Sequence, residues 1–185
     1  MTLRAFNSVF YQSRTWAVIW AYILLTYLTL PVMRDLLNYL RDMLGRQQLG
    51  MAFNSALAIV GLAILFLTLA RRDWKTVLSV GTALTLIGLI AVQLKIPEER
   101  FHFLQYGLLG VLVFSTAREY SLRTTVLLVL FVVAVGIGDE TIQWLLPNRV
   151  GDLRDVAMNS AAGVLGAWIG RAYFWQPQAD NPAES

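Results

Sequence analysis

Long apolar segments alternate with short polar clusters along most of this chain. A helix needs about 20 predominantly apolar residues to cross a bilayer. Six segments approach that pattern: Thr15–Met33, Gln47–Ala70, Thr76–Leu94, Pro97–Ala117, Thr124–Leu146 and Leu153–Trp175. Pro97 suits a first helical position, and Pro147 stops the fifth segment. Between the first two lies "RDLLNYLRDMLG". There Leu36, Leu37, Leu40, Met43 and Leu44 fall at helical spacing, and the charges lie elsewhere on the wheel. The pattern predicts a short interfacial helix closed by Gly45, with a helical extension of the first span as the alternative.

Composition agrees with this pattern. The chain has 185 residues, 57% of them apolar and 15% charged, against about 45–50% and 25% in soluble domains. The expected fold is all-α: a polytopic membrane helix bundle of about six transmembrane helices plus the interfacial helix. It forms one domain over residues 1–175, and residues 176–185 have the composition of a disordered tail. The first apolar run is too long for a signal-peptide core and lacks a small-residue cleavage site, so it reads as retained. There is no cysteine, which excludes disulfides, thiolate metal sites and cysteine nucleophiles. A net charge of +3 spread over short loops offers no nucleic-acid stripe.

An even number of spans puts both termini on one side. Eight of the 15 Lys and Arg residues fall on that side, which leans towards cytoplasmic termini. The acids are less even, with eight of twelve on the other side. The pattern thus brings polar loops distant in sequence to one membrane face.

Three segments carry chemistry there. In "PEERFHFLQYGLLG", Glu98, His102 and Tyr106 recur every four residues and share a helix face, with Gln105 beside them. Helix capping by the acids and an interfacial tyrosine would explain the same residues. In "GIGDETIQWLLP", Asp139 and Glu140 lie about two turns before the helix end, and Glu140 shares a face with Gln143. Ionisable groups at such depth normally face a bundle interior or a wet cavity; the alternative is a helix that ends at Gly138 and leaves the acids in water. In the sixth segment Asp152, Asp155 and Asn159 fall on one stripe, followed by Gly163, Gly166 and Gly170. Asp152 also suits an N-cap. The glycines allow close approach of another helix, and suit a helix–helix oligomer.

The residues His102, Phe103 and Tyr106, followed by Glu140, Gln143, Pro147, Arg149, Gly151, Asp152, Asp155 and Asn159, resemble the motif of the VanZ-like family of bacterial membrane proteins. The resemblance covers about residues 98–170. It departs from the family before the histidine, where an Asp-Lys pair is common and this chain has "EER". The resemblance implies the bacterial inner membrane, a polar site at its outer face, and a link to susceptibility to teicoplanin-type glycopeptides, which target lipid-linked cell-wall precursors.

The expected site comprises Glu98, His102, Tyr106, Glu140, Gln143, Arg149, Asp152, Asp155 and Asn159. Its expected ligand is an anionic lipid headgroup or a lipid-linked glycan, with Arg149 and Arg154 meeting phosphate and Arg100 assisting. An enzyme acting on such a headgroup is the alternative, with His102, Glu140 and Asp155 as catalytic candidates and Mg²⁺ or Mn²⁺ as a conceivable divalent cation. No dedicated metal motif is present. A third reading makes the polar groups structural glue within the bundle or towards a partner.

Overall fold

In the computed structural model the described residues are 3–94, 96, 99–117, 121–147 and 152–175, with side chains from Ser13 onward. Among them are six helices: α1 (Leu3–Leu44), α2 (Arg46–Arg71), α3 (Trp74–Gln93), α4 (Glu99–Phe114), α5 (Leu122–Leu145) and α6 (Leu153–Phe174). Short polar side chains start three of them. Asp73 accepts from the backbone of Lys75 and Thr76 at α3, Ser121 from Thr124 at α5, and Asp152 from Arg154 at α6. Each satisfies a donor that a helix N-terminus leaves without a partner.

The interfacial helix is not a separate element. Residues 34–44 continue α1 without a break, and Gly45 ends it at φ +81°, a conformation that side-chain-bearing residues rarely adopt. No glycine precedes that point, and Pro31 lies inside the helix. Thr29, just before Pro31, donates its hydroxyl to the carbonyls of Leu25 and Thr26, both at 2.9 Å. Hydroxyls of this kind help a membrane helix tolerate an interior proline. The tail, residues 176–185, lies outside the described residues.

Four helices are long and apolar enough to span a membrane, rather than the expected six: Ser13–Leu44 within α1, then α2, α3 and α5. The fourth and sixth segments form helices that do not qualify. At 16 residues α4 is about 24 Å long, short of a hydrocarbon core of about 30 Å. α6 is long enough, but Arg154, Asp155, Asn159, Ser160 and its glycines dilute its hydropathy.

The packing explains the difference. α4 and α6 lie against each other over the most extensive contact in the bundle, and α1, α2, α3 and α5 surround them. Of the 26 residues of α2, only Leu49, Gly50 and Thr68 are buried, so its apolar surface faces outward. α6 buries nine residues, four of which are glycine or alanine in the stretch from Ala162 to Ala167. The faces that α4 and α6 turn to protein need not be apolar, while Leu108, Val164 and Trp168 stay exposed.

Contacts at each end fix an up-and-down order. Arg72 lies over the Tyr173 ring at 4.8 Å, Arg171 donates to Thr125 Oγ1 at 2.7 Å, and Trp168 Nε1 donates to Ser79 Oγ at 2.8 Å. These gather the ends of α2 and α6 with the starts of α3 and α5. Phe53 and Phe101 meet at the opposite end. The polar cluster lies at that opposite end, near the starts of α4 and α6 and the end of α5. The chain is an all-α, polytopic membrane protein.

Candidate functional site

Glycine lets the inner pair approach closely. A Cβ on Gly166 would stand 2.7 Å from the carbonyl carbon of Gly107 and closer still to its oxygen. One on Gly110 would stand 2.6 Å from the Ala167 nitrogen. Gly163 faces Val132 of α5, and Gly170 faces Val111 and Phe114 of α4. The glycine stripe of α6 is therefore taken up within the chain.

This crossing sets Tyr106 and Asn159 beneath the acids of α5. Gly136 makes room for both: a Cβ there would lie 3.1 Å from Asn159 Cβ and 3.6 Å from Tyr106 Cε1. Tyr106 donates its hydroxyl to Asp139 Oδ2 at 2.6 Å. Gln143 Nε2 bridges the two acids, donating to Asp139 Oδ1 at 3.2 Å and to Glu140 Oε1 at 3.1 Å. Asn159 Nδ2 donates to Glu140 Oε1 at 3.4 Å, and the Asp152 backbone N–H to Glu140 Oε2, also at 3.4 Å. Asp139, Glu140, Gln143 and Asn159 are all buried. α5 continues to Leu145, so the reading in which it ends at Gly138 does not hold. The acids are inside the bundle.

Above this network is a polar cavity of about 240 Å³ between α1, α4, α5 and α6. Its polar lining includes His102, Gln105, Asp139, Gln143 and Asp155. His102 stacks on Tyr106 one turn later, with ring centroids 6.5 Å apart, so the shared face expected of α4 is present. Glu140 is turned away. It lines a second opening between α5 and α6, and Asp152 lines both. Of the three catalytic candidates, His102 and Asp155 thus share the cavity and Glu140 does not. Tyr106 and Asn159 do not line it; they hold Asp139 and Glu140 through hydrogen bonds. Glu98 and Arg149 lie outside the described residues.

Two expected phosphate ligands have other partners. Arg154 holds Glu99 in a two-armed ion pair, with N···O distances of 2.7 and 3.0 Å. Arg100 donates to the carbonyls of Ala91 and Leu94, at 3.1 and 2.8 Å, and closes the end of α3. Among the described residues, no group of three His, Asp or Glu side chains is placed to hold a metal ion.

Sequence reasoning passed over Asp139 as a site residue, although it is the acid that faces the cavity. The signal was its spacing: Asp139 and Gln143 sit four apart on one face, as Glu140 and Gln143 sit three apart. It also passed over Thr26 and Thr29 of α1, which line the cavity within a span that carries no motif.

Residues 94–175 match the VanZ/LLP1 family. This VanZ-like region takes in α4, α5 and α6, the three helices that supply the buried carboxylates and their partners. α1, α2 and α3 lie outside the match, and α1 completes the cavity wall. No curated protein and no solved structure matches the chain.

Proposed function

We propose that this VanZ-like protein recognises the polar head of a membrane lipid, or of a lipid-linked cell-envelope precursor, in the cavity between α1, α4, α5 and α6. One observation carries the reading. Buried carboxylates and amides from separate helices converge beside a cavity at one end of a bundle whose outer helices are apolar. Ionisable groups inside a membrane protein are costly and mark a ligand or ion path by default. The cavity offers acceptors at Asp139 and Asp155, an amide at Gln143 and an imidazole at His102. Such a set reads hydroxyls and amines. Arg154 lines the cavity in its ion pair with Glu99, and Arg100 closes the end of α3.

The proposed setting is the bacterial inner membrane with cytoplasmic termini and the cavity at the outer face. In that setting, handling a lipid-linked precursor would alter susceptibility to teicoplanin-type glycopeptides. The test is native mass spectrometry of the full chain extracted with its lipids. The wild type should retain a headgroup class enriched over the bulk membrane, and Gln143→Ala and Asp155→Ala should lose that enrichment. Retention of lipids in bulk proportion by the wild type would overturn the reading.

A further inference from the structure

The second opening has its own character. It is a cleft of about 320 Å³ between α5 and α6, walled by Ile137, Trp144, Leu153 and Val156, with Glu140 and Asp152 as its ionisable groups. Ile137, Trp144 and Leu153 are exposed, so in a bilayer these walls meet hydrocarbon. A buried acid at the base of a hydrocarbon-facing cleft suits an amphipathic ligand.

The charge balance selects the sign of that ligand's head. Glu140 accepts only neutral donors: the amides of Gln143 and Asn159 and the Asp152 N–H. Asp139 shares the Gln143 amide with it, and Asp155 lines the neighbouring cavity. Among the described residues, no cation lies within ion-pair distance of any of the three, and Arg154 is held by Glu99. A phosphate here would add an anion to an uncompensated cluster, whereas an ammonium would offset it. Asn159 directs its amide at Glu140 and has no exposed surface. Carboxylates with no cation among the described residues call for N–H groups. The Trp144 ring can also take the face of an ammonium.

We propose that the α5/α6 cleft seats an amine-bearing lipid, with its ammonium against Glu140 and its acyl chain along Ile137, Trp144, Leu153 and Val156. This goes beyond the lipid-head reading above, because the cleft is a second site, entered from the side of the bilayer.

The experiment uses the full chain in phosphatidylcholine nanodiscs containing one probe with a photoreactive acyl chain. The probes are phosphatidylethanolamine, its N-acetylated form and phosphatidylglycerol. Crosslinked peptides are mapped by mass spectrometry. Phosphatidylethanolamine should label the α5 and α6 peptides about tenfold or more above either of the others. Glu140→Gln should abolish that preference yet keep the labelling, since the apolar walls remain; Trp144→Ala should lower labelling by all three probes. Equal labelling of the wild type by the amine and its N-acetylated form overturns the amine inference and leaves the lipid reading standing. No cleft labelling by any probe overturns the cleft as a lipid seat and leaves the reading of the α1/α4/α5/α6 cavity to its own test. An unchanged preference in Glu140→Gln overturns the assignment of Glu140. The wild-type comparison decides even where Glu140→Gln fails to fold.

Discussion

Gly166→Ala tests the closeness of the inner helix pair. The added Cβ would stand 2.7 and 2.8 Å from the carbonyl carbon and Cα of Gly107. Carbon atoms pack best at about 3.5–4.0 Å, so the two backbones must part by roughly 0.7–1.3 Å at the crossing. A flexible side chain could rotate out of the way, but a helix backbone cannot. Overpacking of this kind costs about 1–3 kcal/mol, and the backbone contacts place this case towards the upper end. For a chain of this length each kcal/mol lowers the melting temperature by about 2–4 °C, so the variant should melt roughly 4–12 °C lower. The assay is thermal unfolding of purified protein in detergent. Gly88→Ala is the control, because a Cβ there meets nothing within 4 Å and alanine is the better helix former. It should melt at the wild-type temperature or above. Gly110→Ala breaks the same crossing from the other side, so the double variant should lose less than the two singles together. The reasoning is refuted if Gly166→Ala melts with Gly88→Ala.

Tyr106→Phe removes a buried hydrogen bond to a carboxylate and should cost about 1.5–3 kcal/mol. Tyr27→Phe, which loses a half-buried bond to the Val135 carbonyl at 2.7 Å, should cost about 0.5–1.5 kcal/mol in the same unfolding assay. Arg154→Ala strands the buried Glu99 carboxylate and should cost about 1–3 kcal/mol, whereas Arg154→Ala combined with Glu99→Gln should recover most of it in a double-mutant cycle. Hydrogen bonding from Thr76 holds the Asp73 carboxyl below its ordinary value. Its capping contribution is therefore complete at neutral pH and is lost as pH falls through that lowered value; amide exchange at Thr76 should report the loss in acid and not near pH 6.

The sequence made the helices legible because uninterrupted apolar runs leave few alternatives. Predicted and observed ends of α2, α3, α5 and α6 differ by about one to two residues, which is ordinary fraying. The sequence misled in two places. At Met33–Arg34 a change from apolar to amphipathic pattern suggested a break, but nothing there stops a helix, and Gly45 was the only strong stop signal. In α4 and α6 the spans were counted by apolar content, but α4 is short and the buried face of α6 carries polar and small residues. The site was legible where spacing is local: His102 over Tyr106, and Gln143 beneath Glu140. It was not legible where two neighbours diverge. Asp139 and Glu140 are about 100° apart on a helix wheel, and here they face different openings. Only the position of α6 determines which faces which. The partner of Arg154 was illegible for a related reason, since its pairing with Glu99 spans 55 positions and leaves no trace in spacing.

The closeness of the helix crossing and the chemistry of the site are one structural fact. Gly107 directly follows Tyr106, and Gly163 lies one turn beyond Asn159, so the glycines that let α4 and α6 touch also set the height of Tyr106 and Asn159 beneath Asp139 and Glu140. The hydroxyl of Tyr106 reaches Asp139 at 2.6 Å only while that crossing is tight. The four apolar helices then shield a pair that is too short or too polar to face lipid alone. Within that shield, carboxylates can be held by neutral donors with no resident counter-ion among the described residues. In water such a cluster would be solvated and unselective. Under the proposed function the headgroup answers that cluster, and the side on which it does so follows from the divergence of Asp139 and Glu140, which face different openings.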